Sequence, residues 1–357
     1  MKKIAILVSL LALAACAPRA VETTQSGSTV KPAPQINQQP EIFSTVTYPA
    51  GTSFLSRPDV QRYIDRKVAS GQFSREEMEA FFANVENKPN IISIMDKPGT
   101  SRPWYEFRKN NVAGNRISGG VKYWNANEYA VTQASRVYGV APEILVAIVG
   151  IETNYASNMG SFRTADALVT LAFNYPRRAE FFRKELDEFL LMAHEERRDM
   201  FTFKGSYAGA MGVPQFMPSS FRKWAIDADH DGQRDIWNNQ QDVMASVANY
   251  MKQHGWKTGG KISVPVTFQM TEALQAKLDE NTQLTHTVGD FKRLGMSVQD
   301  ASVSDNEKAF LYRLEVAPGQ YDYYLGLNNF YTIWQYNHSR LYVSAVKEIA
   351  ETVARSR

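Results

Sequence analysis

The sequence contains one cysteine, Cys16, so an internal disulfide is excluded. A formal net charge of +3 over 357 residues gives no bias toward nucleic-acid binding. The sequence contains no glycine-rich phosphate loop, nucleotide fingerprint or zinc-type Cys/His spacing. With 44% apolar and 22% charged residues, the composition is that of a folded protein, long enough for two or three compact units.

The first sixteen residues have the pattern of a secretion signal. Two lysines precede an apolar run, Ile4 to Leu13, which is too short to span a bilayer. The tetrapeptide ending at Cys16 resembles a bacterial lipobox, which predicts cleavage before Cys16 and lipidation of its thiol. A plain signal peptide with a chance cysteine is the alternative. Because Ala17 follows, rather than aspartate, we expect a lipid anchor at the periplasmic face of a Gram-negative outer membrane.

The rest of the chain divides by composition and periodicity. Few large apolar residues occur in 17–50, which predicts a flexible tether. Helical spacing of apolar residues dominates up to about residue 256, and Pro142 opens a strongly apolar helix. Alternation in Lys261–Met270 and Ala309–Val316 predicts strands. We therefore expect a helical domain at 51–140, a central domain at 141–256, a small β-containing domain at 257–320, and a return to the central domain at 321–357.

Glu152 is the first candidate for chemistry. It lies in AIVGIETNYA, residues 147–156, at the end of a predicted apolar helix. Loss of solvation there would raise its carboxyl pKa, as a general acid near neutral pH requires. Taken alone, such a glutamate is more often a capped or paired structural residue.

The segment GSYAGAMGVPQFMPSSF, residues 205–221, combines glycines with polar and aromatic residues. Small residues let a backbone approach a ligand closely. Ser206 and Gln215 can hydrogen-bond sugar hydroxyls and amides, while Tyr207 and Phe216 offer apolar faces. A structural glycine-rich turn is the alternative.

The segment DADHDGQRDIW, residues 227–237, matches the start of an EF-hand-like loop. Alternating carboxylates repel one another unless a cation joins them, so calcium binding is favoured over a solvated acidic turn. Asn238 stands where a closing glutamate is usual. The predicted ligands are Asp227, Asp229, Asp231, the backbone carbonyl of Gln233, and the later acid Asp242.

Two further groups could contact a substrate. Tyr331, Tyr336 and Asn337 lie in an aromatic and amide-rich segment, 327–342, and could line a saccharide groove or pack in a core. Arg177 and Arg178 could bind carboxylates of a peptide stem bidentately, or remain solvated charges.

The chain resembles the lytic murein transglycosylases of the membrane-bound B type, glycoside hydrolase family 103. Five segments taken together carry this resemblance: GIETNYA, FNYPRRAEFF, GAMGVPQFMPSSF, DADHDGQRDIW and FYTIWQYNHS. The resemblance runs from about Thr52 to the C-terminus. It implies a mainly α (α+β) fold with a goose-type-lysozyme-like core, a flanking helical domain and a small β-domain. It also implies catalysis by Glu152, sugar contacts from Ser206, Gln215, Tyr250, Tyr331 and Tyr336, peptide-stem contacts from the arginine pair, and a structural calcium ion without an organic cofactor.

The activity implied is cleavage of the β-1,4 bond between MurNAc and GlcNAc with formation of 1,6-anhydro-MurNAc ends, during cell-wall turnover. The implied partners are glycan strands with their peptide stems, and complexes with wall synthases or hydrolases. A muramidase on the same scaffold, or a non-catalytic peptidoglycan-binding lipoprotein, are the alternatives.

Overall fold

The computed structural model describes residues 48, 51–96 and 102–357. The predicted signal peptide, the lipidation site Cys16 and nearly all of the predicted tether lie outside these residues. The chain separates into two compact units, whose described parts are 48 with 51–83, and 84–96 with 102–357.

The first unit is helical. Its described elements are a 3₁₀ turn at Phe54–Ser56, α1 at Pro58–Ala69 and most of α2 at Arg75–Asn84. Val60, Tyr63 and Ile64 bury one face of α1, because they recur at helical spacing. A capping box starts α2: the Glu77 N–H donates to Ser74 Oγ (3.1 Å) and the Ser74 N–H donates to the Glu77 carboxylate (2.8 Å).

The second unit is built around α7, Pro142–Thr153. Residues 144–150 are all buried, because the helix is apolar on every side and α5, α6, α11 and α15 pack around it. Its remaining helices are α3 Pro89–Met95, α4 Trp104–Asn111, α5 Gly114–Ala126, α6 Glu128–Tyr138, α8 Thr164–Asn174, α9 Ala179–Glu195, α10 Pro218–Trp224, α11 Gln240–Gln253, α12 Glu272–Leu278, α13 Val288–Arg293, α14 Asn328–Tyr336 and α15 Arg340–Ser356.

No single helix of the described ranges has both the length and the apolarity of a membrane span. Only when they are taken together do α6 and α7 reach that length and apolarity, and the chain bends by 118° between them.

Two antiparallel sheets complete the second unit. The strands β1, Phe162–Arg163, and β2, Lys204–Gly205, form a short ribbon. A five-stranded sheet has the order β4-β6-β7-β3-β5, and its core includes Val264, Leu311 and Leu325 with Phe291 from α13. Its strands are β3 Ser263–Thr267, β4 His286–Thr287, β5 Ser297–Val298, β6 Lys308–Ala317 and β7 Gln320–Gly326. The prediction of a mainly helical fold with a small sheet is confirmed, while the domain boundaries stay a prediction.

Candidate active site

Glu152 is the penultimate residue of α7, and its carboxyl group is held by a tyrosine from α15. Tyr342 Oη donates a hydrogen bond to Glu152 Oε1 at 2.6 Å. Burial raises the pKa of Glu152 to about 7, against the opposing effect of this hydrogen bond. The predicted apolar environment is therefore present, and it leaves the acid in part protonated at neutral pH.

A cluster of aromatic rings surrounds this carboxyl group. Tyr336 Oη donates to the Pro214 carbonyl at 2.5 Å, and its ring meets the Tyr250 ring edge-on at 4.8 Å. Tyr250 Oη donates to the Gln335 carbonyl at 2.8 Å. Burial, and next the negative charge of Glu152, raise the pKa of both Tyr336 and Tyr342 well above the usual value. These phenols stay protonated and act as hydrogen-bond donors.

No sequence motif singles out Tyr342. In α15 it continues the apolar stripe of Val346, Ile349 and Val353, so its spacing is that of a core residue. Only its contact with Glu152 reveals another role.

The glycine-rich segment is fixed to the end of α7. Thr153 Oγ1 donates to the Val213 carbonyl at 3.1 Å, and the Ala156 N–H donates to Thr153 Oγ1 at 3.1 Å. Gly212 has φ +67°, and a Cβ there would come within 2.7 Å of the Ile236 carbonyl oxygen. The segment carrying Ser206 and Gln215 is thereby joined to the helix that carries Glu152.

The two polar residues of this segment make different contacts. Ser206 is buried, and its Oγ accepts from the backbone N–H of Ala210 at 3.1 Å. Gln215 adopts φ +53°, and its Nε2 donates to the Met159 and Gly212 carbonyls at 3.1 and 2.8 Å. These two bonds fix the amide, so that Gln215 Oε1 remains an acceptor.

The remaining predicted sugar residues differ in their surroundings. Asn337 is buried, and its Oδ1 has no hydrogen-bond partner within the described residues. An orphaned buried acceptor of this kind is expected to meet a donor from a ligand or from water. Tyr331 is half-buried and stacks on Trp334 with ring centroids 5.6 Å apart. No described contact joins Tyr331 to the Glu152 cluster.

The arginine pair occupies a 3₁₀ turn at Pro176–Arg178. The Arg177 side chain is 71% exposed and pairs with Asp96 at 2.5 Å. The Arg178 guanidinium lies 4.4 Å from the Phe181 ring centroid, and burial lowers its pKa. Among the described contacts, none links either arginine to Glu152.

Three of the predicted cation ligands converge. Carboxylate oxygens of Asp227, Asp229 and Asp242 lie within 4.8 Å of one another. Asp242 is buried at the start of α11, and burial raises its pKa even though it accepts the backbone N–H of Ala228 at 2.7 Å. Asp231 lies outside this group, and its carboxylate accepts the Gln233 N–H at 2.8 Å. An all-oxygen donor set with a buried carboxylate suits a hard cation such as Ca²⁺.

Comparisons with known proteins identify the family of the chain. A family model described as Transglycosylase SLT domain matches residues 56–351. Membrane-bound lytic murein transglycosylase B of Escherichia coli (strain K12) is 37% identical, with 97% of this chain and 95% of that protein covered.

Several solved structures are also similar to this chain. Catenated SltB1 of Pseudomonas aeruginosa is 39% identical, with a TM-score of 0.81 and 85% and 99% of the two chains covered. Slt35 of Escherichia coli in complex with calcium is 38% identical, with a TM-score of 0.77 and coverage of 86% and 96%. SltB3 of Pseudomonas aeruginosa in complex with NAG-anhNAM-pentapeptide is 28% identical, with a TM-score of 0.72 and coverage of 85% and 80%. The chain belongs to the transglycosylase SLT-domain family.

Proposed function

We propose that this transglycosylase cleaves the β-1,4 bond between MurNAc and GlcNAc in peptidoglycan and leaves 1,6-anhydro-MurNAc ends, with Glu152 as its catalytic acid and base. One observation carries the proposal: the Glu152 carboxyl group has a pKa of about 7, raised by burial. No second carboxylate of the described residues perturbs that pKa, whereas two-carboxylate glycosidases place an acid and a base or nucleophile across the bond.

In the first step Glu152 donates a proton to the glycosidic oxygen, and the C1–O bond breaks. Tyr342 occupies Oε1, so Oε2 is the oxygen left to carry the proton to the substrate. The positive charge at C1 is stabilised by the N-acetyl group of the substrate. The GlcNAc hydroxyl leaves with the transferred proton.

In the second step the Glu152 carboxylate removes the proton of the MurNAc C6 hydroxyl, and O6 forms a bond to C1. Glu152 is protonated again, so the cycle closes without consuming water. Ring closure is intramolecular and is favoured over attack by solvent as long as the groove excludes water from C1. A muramidase reaction would instead deliver water to C1.

Substrate binding is assigned to the residues that the sequence predicts for contact with sugars and peptide stems. The saccharide groove is proposed to be lined by Ser206, Gln215, Tyr250, Tyr336 and Asn337. The Oδ1 of Asn337 and the Oε1 of Gln215 would accept hydrogen bonds from the sugar. Tyr331 extends this surface, and Arg177 and Arg178 meet carboxylates of the peptide stem. The complex of the relative SltB3 with NAG-anhNAM-pentapeptide supports a substrate with both sugar and peptide parts.

A calcium ion is proposed to bind Asp227, Asp229 and Asp242, with Asp231 and the Gln233 carbonyl completing the set. It would neutralise the clustered carboxylates and thereby have a structural role. Convergence of three carboxylates supports this assignment, as does the calcium complex of the relative Slt35.

We further propose that a lipid on Cys16 anchors the enzyme to the periplasmic face of the outer membrane, and that residues 17–50 let it reach the wall. A relative that is described as membrane-bound supports the anchor. The predicted domain boundaries at 51–140, 141–256, 257–320 and 321–357 belong to the same proposal, as do complexes with other wall enzymes.

Mass spectrometry of muropeptides released from purified sacculi tests the reaction. Wild type is expected to release anhydro-muropeptides, and Glu152→Gln to release them at least about a hundredfold more slowly, because the general acid is lost. Release of only reducing-end MurNAc would identify a muramidase. A Glu152→Gln variant as active as wild type would remove Glu152 from the mechanism, and an inactive but sacculus-binding wild type would identify a scaffold.

A further inference from the structure

A polar cavity that is wide open to solvent lies where the α5–α6 junction meets the start of α11. Its volume is about 420 Å³, and its walls include Asn127, Tyr129, Asn238, Gln240 and Gln241. All of its lining side chains are uncharged, and none belongs to the Glu152 cluster. The proposed reaction therefore gives this cavity no role.

The walls offer free hydrogen-bonding groups of both kinds. Asn127 Nδ2 donates to the Tyr123 carbonyl at 2.9 Å, and Asn238 Nδ2 donates to Asp235 at 3.1 Å. Gln240 Oε1 accepts from Tyr123 Oη. Within the described part of the chain this leaves two amide oxygens and the Gln240 NH₂ group without partners, and Gln241 keeps its whole side-chain amide.

Tyr129 adds an apolar face to these amides. It lies in the first turn of α6 and is 65% exposed. A lone exposed ring is ordinary surface, but this ring stands beside several amide groups of one cavity. The ring can cover the C–H face of a pyranose while its hydroxyl bonds a sugar hydroxyl.

The cation loop, residues 227–237, lies next to this cavity, and the charges of the surrounding side chains restrict the charge of its ligand. Asn239 Nδ2 donates to Asp229 Oδ2 at 2.7 Å, and Asn239 Oδ1 accepts the Gln241 N–H at 3.0 Å. No lining side chain carries a positive charge that could pair with an anion. A neutral ligand with amide groups is therefore favoured over a peptide stem that ends in carboxylates.

We infer that this cavity is an accessory binding site for an N-acetylated saccharide, which holds a stretch of glycan apart from the bond being cleaved. The free amide groups pair with the N-acetyl amide, and Tyr129 stacks on the sugar ring. The inference rests on the proposed function in one respect, since the glycan held is the polymer that the enzyme cleaves. Such a site would give the enzyme a second point of contact with the strand.

The test uses a Glu152→Gln background, so that the ligand is not degraded. Tyr129→Ala is added, and the matched control is Tyr321→Ala, the same substitution at a 37% exposed tyrosine outside the cavity. Co-sedimentation with purified sacculi should show binding about fivefold weaker for Tyr129→Ala, as expected for the loss of one aromatic contact, and unchanged for Tyr321→Ala. Equal melting temperatures establish that both variants are folded.

A second measurement locates the ligand. Titration of the ¹⁵N-labelled Glu152→Gln protein with the tetramer of N-acetylglucosamine should shift the side-chain amide signals of Gln240 and Gln241, and Tyr129→Ala should reduce those shifts. Unmoved signals at millimolar tetramer, or sacculus binding unaffected by Tyr129→Ala, would overturn the inference. The proposed function fails by a different result, the absence of anhydro-muropeptides from the wild-type enzyme, in an assay that does not involve Tyr129.

Discussion

Replacing Tyr342 with phenylalanine tests how the protein sets the acidity of Glu152. The change removes the hydroxyl that donates to Glu152 Oε1 at 2.6 Å and leaves the buried ring in place. This hydrogen bond stabilises the carboxylate and lowers its pKa, in opposition to burial. Without it, the pKa of Glu152 should rise further above 7.

The size of the rise follows from the strength of the bond. A hydrogen bond to a charged group contributes about 1.5–3 kcal/mol, and one pKa unit corresponds to about 1.4 kcal/mol. The pKa should therefore rise by about one to two units. The upper value applies only if no water replaces the lost hydroxyl.

The assay is the pH dependence of kcat/KM for release of anhydro-muropeptides. In the proposed mechanism catalysis begins from protonated Glu152, so activity should fall as pH rises through its pKa. This alkaline limb should lie near pH 7 in wild type and move to higher pH in Tyr342→Phe. Tyr336→Phe is the matched control, since its hydroxyl donates to the Pro214 carbonyl and not to Glu152. A limb that stays in place in Tyr342→Phe, or moves to lower pH, would refute the reasoning.

Three further predictions concern stability and the cation loop. The pKa of Glu152 rises from 4.5 to about 7 on folding, so its contribution to stability is full below pH 4.5 and is lost as pH rises through 7. The free energy of unfolding of Glu152→Gln, measured relative to that of wild type, should therefore increase by up to about 3 kcal/mol between pH 4 and pH 8. Denaturant titrations that give the same difference between the two proteins at both pH values would contradict this. Calcium at a hundredfold excess over its Kd should raise the melting temperature of chelator-treated protein by about 5 °C, and Asp242→Asn should lose most of that rise in calorimetry. Thr153→Val should lower the free energy of unfolding by about 2 kcal/mol, because the Ala156 N–H loses its acceptor. It should also lower kcat by a larger factor than it changes KM. An unaltered kcat would show that the hydrogen bonds of Thr153 do not contribute to catalysis.

Sequence patterns predicted the elements that are defined locally. Pro142 followed by an unbroken apolar run predicted a buried helix ending near Glu152, and α7 has those properties. Alternation predicted the strands observed as β3 and β6. The two-residue strands β4 and β5 are too short to alternate, so no local pattern could reveal them.

Contacts between distant segments could not be predicted in the same way. Tyr342 and Glu152 are 190 positions apart, and Tyr342 has the spacing of a core residue. In the cation loop, Asp231 has the regular spacing of a ligand, whereas Asp242 lies beyond the usual closing position, where Asn238 stands. The structure groups Asp242 with Asp227 and Asp229 because α11 returns it to the loop, an effect of tertiary packing.

These distant contacts connect the cation loop with the acid. Asp242 accepts the backbone N–H of Asp235 at 2.8 Å, and the next residue, Ile236, accepts the Val213 N–H at 2.9 Å. Val213 in turn accepts from Thr153, the neighbour of Glu152. These three hydrogen bonds measure 2.8 to 3.1 Å and join largely buried groups, and such bonds are costly to leave unmade. A cation that relieves the repulsion among the loop carboxylates would therefore hold the glycine-rich segment against the end of α7. In the proposed mechanism a proton passes between Glu152 and two different substrate oxygens, so a displacement of the order of 1 Å in that segment would slow both transfers.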